Sequence, residues 1–515
     1  METVSSISKL IRPNHYFTKI DLVKAYYSIP IAEEHHKMLK FEHNNQLFSF
    51  QVLPNGYTHG PRIFTKILKP PLAHLRKKGV NATPYLDDIL NMHSEYKTCF
   101  ENTKLIISSL QDLGFCIHPE PKSSLIPNKQ IIFLGFIFNS ENMTIKLTDE
   151  KKTKLINHCI TILGSPKITI RELAQILGKI SSSFPGVKYG RLHYRGLERQ
   201  KTAALRQHRG NFNAQIYLSE EAIVDIQWWI HNTQHSKNQL FTPNPSKTIF
   251  TDSSSYGWGA ANAQTSTGGL LTEGEKENHI NVLELKAILF GLMSLENETN
   301  NCHLKIESDN TTAVYAVNKF GTSKSKPCDD MAKQIWAWAI HKNIWLSATH
   351  IPGILNVQAD EESRKQETFT EWKLNPNLFN YICTKLKFIP DIDLFATRIN
   401  TQLKTFFSYR PDPECIAVDA FLMNWDSLKF WAFPPFACIP KVLQKIYLDK
   451  AQGILIVPDW PSQPWYTNVH KISEQIITIS PSQDLLLLPH QPHLLHPLHK
   501  KLTLLGCYVN GAISH

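Results

Sequence analysis

Two groups of carboxylates in this sequence have the types and spacing that suit divalent cations. In the first group, Asp21 closes an apolar run, and Asp87 and Asp88 follow Tyr85-Leu86 with apolar residues on both sides. Adjacent acids in an apolar strand are costly to bury unless a cation neutralises them. A pair of Mg²⁺ ions, which prefer oxygen ligands, can clamp the attacking and leaving oxygens of a phosphoryl transfer. For Asp87-Asp88 alone, an exposed hairpin turn is an equally good interpretation.

The second group contains four acids that lie far apart in the sequence, each at the end of a predicted regular element. Asp252 and Asp309 close predicted strands, whereas Glu284 and Asp360 lie early in predicted helices. Each acid alone would be typical of a helix cap or a surface position. Together, four such acids can converge on one pair of metal ions.

The elements that must position these acids indicate a multidomain protein of α/β and α+β type. Hydrophobic periodicity and turn signals predict five segments. They are strands and helices at residues 1–148, helices at 149–240, strands and helices at 243–368, an α/β pattern at 385–475, and a tail at 476–515. Residues 241–245 have the composition of a linker. In the tail, residues 485–488 are predicted to be a buried strand or docking segment.

Composition excludes several classes of protein. The 515 residues include no apolar run of the roughly 18 residues that a membrane span needs, and no secretory signal opens the chain. Nine cysteines without a C-x-x-C pair argue against a disulfide framework or a zinc ribbon. We therefore expect an intracellular protein of the cytoplasm or nucleus, with no membrane partner.

A basic stretch at residues 188–209 is the clearest feature of the charge pattern, within a net charge of +10. Aromatic residues interleave with Lys188, Arg191, Arg195 and Arg199, as stacking surfaces beside phosphate contacts would. The stretch predicts a nucleic-acid interface. A solvated basic surface is the alternative.

The first group of acids lies in segments that resemble the palm of reverse transcriptases. The matching segments are Asp21-Leu22-Val23-Lys24-Ala25-Tyr26, Leu53-Pro54-Asn55-Gly56-Tyr57 and Tyr85-Leu86-Asp87-Asp88. The resemblance implies that the three aspartates bind two Mg²⁺ ions, or Mn²⁺, and that residues 149–240 form the thumb and connection. It also implies that Tyr26 stacks under the incoming sugar, that Asn55 and Gly56 border the nucleotide, and that Lys122 lies on the phosphate side. The implied partners are an RNA template, a DNA primer and deoxynucleoside triphosphates.

The same resemblance raises an expectation about activity. Only 20 residues precede Asp21, too few for the fingers subdomain that holds the triphosphate in this family. We therefore expect a truncated polymerase part and negligible primer extension by this chain.

The second group of acids lies in a stretch that resembles ribonuclease H. Thr251-Asp252, Val282-Leu283-Glu284-Leu285, Ser308-Asp309-Asn310 and His350-Ile351-Pro352-Gly353, followed by Asp360, occur in the order of that family. The resemblance implies that the four acids bind two Mg²⁺ ions and that His350 assists product release. It further implies that residues 243–368 alone cleave the RNA strand of an RNA–DNA hybrid.

A third region resembles the methyltransferase-like domain of DIRS-type retrotransposons. It includes Asp391-Ile392-Asp393-Leu394-Phe395 and Phe433-Pro434-Pro435-Phe436. Phe433 stands where active methyltransferases carry Asp or Asn, and the glycine-rich cofactor loop is absent, so the resemblance implies a scaffold without activity. The order of the three regions implies a DIRS-type polyprotein, with a recombinase of the same element as a further partner. Two alternative functions stay open. The chain is a non-catalytic nucleic-acid-binding relic, or its last domain serves as a protein-interaction platform.

Overall fold

A computed structural model describes residues 3–365 and 372–512. The chain divides into two units, Met1–Pro243 and Asn244–His515, and the boundary falls within the predicted linker. No helix among the described residues is long and apolar enough to cross a lipid bilayer.

The first unit begins with an antiparallel four-stranded sheet, in the order β4-β5-β1-β6. Its elements, with a separate hairpin of β2 and β3, are α1 (Val4–Ser8), β1 (Tyr16–Asp21), α2 (Glu33–His36), β2 (Lys40–His43), β3 (Gln46–Ser49), α3 (Gly60–Lys77), β4 (Ala82–Tyr85), β5 (Asp88–His93), α4 (Tyr96–Gln111) and β6 (Ser124–Asn128). Along β1, Phe17, Thr18 and Ile20 are buried, and Phe17 and Ile20 lie on opposite faces of the strand, in two different buried clusters. The predicted hairpin that carries Asp87 and Asp88 is confirmed as β4 and β5.

A helical region completes the first unit, as the periodicity predicts. Its elements are β7 (Gln130–Phe133), β8 (Phe136–Asn139), β9 (Thr144–Leu147), α5 (Asp149–Gly164), β10 (Ile168–Thr169), α6 (Ile170–Ser183), α7 (Arg195–Gln207), β11 (Gln215–Ile216), α8 (Glu220–Thr233) and β12 (Asn238–Gln239). Residues of these helices, such as Leu173 and Trp229, share one buried cluster with Phe17 and Leu90 of the first sheet. The expected boundary at residue 148 therefore does not separate two cores.

The second unit opens with a five-stranded sheet in the order β15-β14-β13-β16-β17, where β13, β16 and β17 run parallel. We call residues 244–365, which form this sheet and its helices, the second domain. Its elements are β13 (Lys247–Ser253), β14 (Gly257–Ala261), β15 (Ser266–Leu270), α9 (Glu273–Lys276), α10 (Ile280–Leu295), β16 (His303–Ser308), α11 (Thr311–Asn318), α12 (Lys326–His341), β17 (Trp345–His350) and α13 (Val357–Arg364).

Three details of the second domain differ from the sequence expectation. Asp252 lies inside β13 and does not follow it, because pairing with β14 continues to Ser253. Glu284 is the fifth residue of α10, one position beyond its first turn. His350, which the sequence predicts to lie on a glycine-containing loop, is the last residue of β17 and pairs with Ser308 of β16.

The third domain, residues 372–512, contains a sheet in the order β19-β22-β23-β26-β24. Its elements are β18 (Lys373–Leu374), α14 (Pro376–Lys385), β19 (Ile392–Asp393), β20 (Phe407–Ser408), β21 (Ala417–Val418), β22 (Lys429–Ala432), α15 (Ile439–Leu448), β23 (Gln452–Pro458), α16 (Tyr466–Ile472), β24 (Ser473–Ile479), β25 (Leu486–Leu487) and β26 (Leu504–Asn510).

The tail expected at residues 476–515 belongs to this third domain. Strand β26 lies between β23 and β24 and pairs antiparallel with both, so a boundary at residue 475 cuts through the sheet. The predicted buried strand in the tail is confirmed, because β25 pairs with β18 and Leu485, Leu486 and Leu488 are buried.

Candidate active sites

The first carboxylate cluster, Asp21, Asp87 and Asp88, lies at one end of the first sheet. Asp21 and Asp88 are directly opposite each other in the antiparallel register of β1 and β5. Asp87 lies in the turn that joins β4 to β5, and Leu86 adopts φ +55° there. The register therefore brings together the three acids that the sequence singles out, although 66 positions separate Asp21 from Asp87.

Two basic side chains that sequence reasoning missed, Lys19 and His118, face this cluster. The Nζ atom of Lys19 lies 3.0 Å from Oδ1 of Asp88 and 3.8 Å from Oδ2 of Asp21. The Nε2 atom of His118 lies 3.9 Å from Oδ1 of Asp21. Lys19 could have been found, because residues two apart on a strand share a face. His118 comes from a distant segment, and nothing local in the sequence indicates its position.

The electrostatics of the first cluster favour a cation. Burial raises the pKa of Asp88, and the charges of Asp21 and Asp87 add to the rise, whereas Lys19 opposes it. Lys19 thus offsets part of the repulsion among three crowded carboxylates. Three aspartate side chains are a suitable oxygen donor set for Mg²⁺ or Mn²⁺.

The residues expected around a nucleotide lie next to the first cluster. The Tyr26 ring packs against Phe64 at 5.1 Å, and burial together with the charge of Asp87 raises the pKa of its hydroxyl. The amide of Asn55 donates to the Tyr27 hydroxyl at 3.4 Å, and Gly56 has φ +89°, which glycine adopts without strain. Tyr26 and Asn55 therefore belong to adjacent segments beside the acids.

Lys122 is connected to the first cluster through His118. Its Nζ atom lies 3.2 Å from Nε2 of His118, the residue that faces Asp21. Lys122 itself is exposed. A flexible ammonium group at this position can reach an anionic ligand near the acids.

The second carboxylate cluster consists of Asp252, Glu284 and Asp309, from β13, α10 and the end of β16. Carboxylate oxygens of these residues all lie within 4.8 Å of one another. Asp252 and Glu284 are each only 5% exposed, and the hydroxyl of Ser363 donates to Oδ2 of Asp252 at 2.7 Å. The structure therefore brings together three of the four acids that the sequence grouped.

Among the residues that the structure describes, none forms an ion pair with Asp252, Glu284 or Asp309, although the charge of Arg364 acts on Asp252. Burial and the charges of Asp252 and Asp309 raise the pKa of Glu284 to about 9. The Oε2 atom of Glu284 is buried and accepts no hydrogen bond from the described residues. A buried carboxylate with one oxygen that lacks a hydrogen-bond partner, crowded by two other carboxylates, fits a divalent cation, which would supply positive charge.

Asp360 and His350 lie at the edge of the second cluster. The charge of Asp360 contributes to the raised pKa of Asp252, whose main cause is burial, so the two carboxylates are close. The guanidinium of Arg364 donates to Oδ1 of Asp360 at 2.7 Å. His350 is exposed and lies opposite Ser308, the residue before Asp309. Asp360 and His350 therefore lie near the acids with which the sequence groups them, and their roles stay predictions.

Two of the four basic residues predicted to bind nucleic acid make internal contacts instead. Arg195 is only 8% exposed, and its guanidinium lies 2.9 Å from Glu198 and over the Tyr194 ring. Arg199 forms an ion pair with Glu221 of α8. Both arginines therefore form ion pairs within the first unit, Arg195 with Glu198 and Arg199 with Glu221. Sequence composition shows charges but not their partners.

The remaining basic residues of the stretch can still contact a phosphate backbone. Arg191 is exposed beside the Phe184 ring, and Lys188 is half-exposed over the Tyr189 ring. Arg206 and Arg209 are exposed at the end of α7. With the half-exposed Lys201, five of the seven lysines and arginines at residues 188–209 are left for the predicted nucleic-acid interface.

We expect the triple change of Arg191, Arg206 and Arg209 to glutamine to weaken the salt dependence of hybrid binding. Each lysine or arginine that contacts a phosphate releases counterions, so the log–log slope should flatten by about 2. Fluorescence anisotropy of a labelled RNA–DNA hybrid across a salt series measures the slope. As the control, Arg199→Gln should alter stability and leave the slope as it is. An unchanged slope in the triple variant would identify the stretch as a solvated surface.

Comparison with known proteins gives a family match for part of the first unit. Residues 2–138 match the family described as reverse transcriptase (RNA-dependent DNA polymerase).

The Gag-Pol polyprotein of Walleye dermal sarcoma virus is 26% identical over 196 residues, which cover 38% of this chain and 11% of that protein. The Pro-Pol polyprotein of Simian foamy virus type 1 is 30% identical over 166 residues, which cover 32% and 13%. A Pol polyprotein from the Drosophila melanogaster transposon opus is 28% identical over 167 residues, covering 32% and 15%. The matched regions thus span only a small part of these relatives.

Solved structures give weaker similarities. A foamy viral protease-reverse transcriptase in complex with double-stranded DNA has a TM-score of 0.40 and 18% identity, covering 68% of this chain and 60% of that one. The same enzyme in complex with an RNA/DNA hybrid has a TM-score of 0.40 and 16% identity, covering 73% and 49%.

Proposed function

We propose that this chain is a retroelement RNA-directed DNA polymerase with ribonuclease H activity. The premise is that residues 2–138 form a reverse transcriptase domain like those of retroviral and retrotransposon Pol polyproteins. The observation that carries the proposal is that a second, separate carboxylate cluster occurs in the same chain. The second cluster brings three carboxylates within reach of one ion, and the first supplies three neighbouring aspartates, which are the ligand types that two-metal phosphoryl transfer uses. The proposed partners are an RNA template, a DNA primer, an RNA–DNA hybrid and deoxynucleoside triphosphates.

In the nuclease, Asp252, Glu284, Asp309 and Asp360 would hold two Mg²⁺ ions. When bound, the ions supply an activated water and stabilise the leaving oxygen. Ser363 fixes one oxygen of Asp252 by its hydrogen bond, so the other oxygen is directed to the cluster. Arg364 orients Asp360 in the same way. The exposed imidazole of His350, at the edge of the cluster, is placed to exchange a proton with the departing strand.

In the polymerase, Asp21, Asp87 and Asp88 would hold the metal ions. Lys19 occupies the space between two of these carboxylates and must yield part of its interaction when a divalent cation binds. Tyr26, Asn55 and Gly56 form one wall for the nucleotide, and Lys122 supplies positive charge for its phosphates. Electrostatic positioning by such groups accounts for much of phosphoryl-transfer catalysis.

The polymerase cluster can be tested by metal binding alone. In an Asp309→Asn background, which weakens the nuclease cluster, Asp88→Asn should reduce Mn²⁺ affinity at least about tenfold, because a charged ligand is lost. Electron paramagnetic resonance during Mn²⁺ titration measures the bound ion. Asp112→Asn, an exposed acid at the end of α4, is the matched control. Equal Mn²⁺ binding by all three proteins would remove the cluster from the proposal.

For the third domain, we propose a methyltransferase-like scaffold without activity, in a polyprotein of DIRS type. Support comes from three parallel strands, β19, β22 and β23, whose carboxyl ends border a cavity of about 860 Å³. Asp393 and residues 433–436 line this cavity. Phe433 offers no acceptor for a target amine, which is why we propose no methyl transfer. A recombinase partner and an intracellular location stay predictions.

The deciding experiment is cleavage of a labelled RNA–DNA hybrid by the full chain with Mg²⁺ or Mn²⁺. We expect cuts in the RNA strand only. Hybrid binding without cleavage in either metal would favour the alternative, a nucleic-acid-binding relic.

A further inference from the structure

The third domain covers the free edge of the second domain's sheet. Strand β15 is the edge strand, and Arg398, Arg410 and Pro411 of the third domain form hydrogen bonds with its residues. Arg398 forms a bidentate ion pair with Glu275, with both distances 3.0 Å, and its guanidinium lies over the Phe290 ring at 4.4 Å. The hydroxyl of Thr267, on β15, donates to the carbonyl of Pro411. The two domains are therefore joined by charged and polar contacts that are specific in geometry.

One contact of this interface reaches α13, the helix that carries Asp360 at the edge of the second cluster. The guanidinium of Arg410 lies 2.7 Å from Oε2 of Glu362, whose side chain is only 4% exposed. The other carboxylate oxygen, Oε1, accepts from Ser266 at 2.9 Å and from Lys365 at 2.8 Å. Arg410 is the only one of these partners that the third domain contributes.

Helix α13 has little freedom to shift against the sheet on which it lies. A Cβ atom at Gly259 would lie 2.1 Å from the Ala359 carbonyl, and one at Gly268 would lie 2.9 Å from the Glu362 carbonyl. The helix backbone therefore rests directly on β14 and β15. At its start, the Asn356 amide donates to the Thr251 carbonyl at 2.9 Å, beside Asp252.

The residues next to Glu362 on this helix serve the proposed site. Asp360 lies two positions before it, and Ser363, which binds Asp252, directly follows it. Within one short helix these side chains move together. A contact that fixes Glu362 therefore also fixes where Asp360 and Ser363 point.

We infer that Arg410 of the third domain is a positioning residue for the nuclease, because its ion pair with Glu362 holds α13 in register with Asp252. The inference rests on the proposed ribonuclease H function and adds to it that the third domain is part of the nuclease's supporting structure. The domain thereby gains a role that needs no activity of its own.

The test uses the full chain with Arg410→Ala, Arg410→Lys and a control, Lys276→Ala. Lys276 also joins the two domains, through the His490 carbonyl at 2.7 Å, but its contact lies away from α13. We expect Arg410→Ala to raise the half-saturating Mg²⁺ concentration for hybrid cleavage about fivefold, with an unchanged KM for the hybrid. Arg410→Lys should restore most of the loss, and Lys276→Ala should match the wild type.

A second readout does not depend on activity. Hydrogen exchange of the α13 amides should be at least about fivefold faster in Arg410→Ala than in the wild type or in Lys276→Ala. If the wild type fails to cleave hybrid, the proposed function fails while this measurement still tests the positioning of α13. Wild-type exchange in Arg410→Ala, or equal effects of Arg410→Ala and Lys276→Ala, would overturn the inference.

Discussion

Replacing Asp309 by asparagine should lower the rate of RNA cleavage in a hybrid by about two to three orders of magnitude. Asp309 shares the second cluster with Asp252 and Glu284, and its carboxylate lies against the loop at Gly353. Asparagine keeps the shape and one oxygen but removes the charge that would hold a metal ion. Single-turnover cleavage of a labelled hybrid in Mg²⁺ measures the effect.

Two further variants serve as controls for this result. Glu298→Gln makes the same chemical change at an exposed acid of the second domain and should leave the rate unchanged. Asp88→Asn alters the other carboxylate cluster and should also leave hybrid cleavage intact, because the two clusters lie in different units. Full cleavage by Asp309→Asn would show that the site is assigned wrongly. Loss of cleavage in Asp88→Asn would move the activity to the first unit.

The order of elements and most of the two clusters could be predicted because local patterns encode them. The stretch Phe17-Thr18-Lys19-Ile20-Asp21 predicts β1, and turn chemistry predicts the hairpin that places Asp88 opposite Asp21. Carboxylates at the ends of predicted elements identify Asp252 and Asp309, since strands that share a sheet bring such ends together. The sequence thus identifies these acids by their positions within predicted strands and helices, which local residue patterns determine.

What could not be predicted depends on pairing between distant segments. Strand β26 is a short apolar run whose place between β23 and β24 is fixed by long-range register, so it was assigned to a tail. Arg195 is indistinguishable from a surface arginine until Glu198 and the helix packing are known. Likewise, no spacing in the sequence relates Arg410 to Glu362.

Removing the third domain should cost the nuclease most of its activity. Sequence resemblance leads us to expect that residues 243–368 cleave hybrid alone, whereas the domain contacts now predict that this fragment is at least about tenfold slower than residues 244–512. Without the third domain, Glu362 loses Arg410 and Glu275 loses Arg398. Arg398 helps to lower the pKa of Glu275 to about 2, although burial acts in the opposite direction. Glu362 keeps Lys365 and Glu275 keeps Lys286, so each carboxylate loses one of its partners, at a cost of about 1–3 kcal/mol. Strand β15 also becomes an unprotected edge. Thermal unfolding and hybrid cleavage of the two fragments make the comparison.

A paired substitution distinguishes lost charge partners from a general loss of packing. In residues 243–368, changing Glu275 and Glu362 to glutamine removes two carboxylates that the missing arginines would have neutralised. If the loss of the two arginine charges is the main cost, this double variant should unfold several degrees above the unchanged fragment. About 1 kcal/mol corresponds to a few degrees in a domain of this size. In residues 244–512 the same change should lower the unfolding temperature, because it breaks ion pairs that are present there. Equal stability and equal cleavage rates in the two unchanged fragments would mean that the third domain does not support the nuclease.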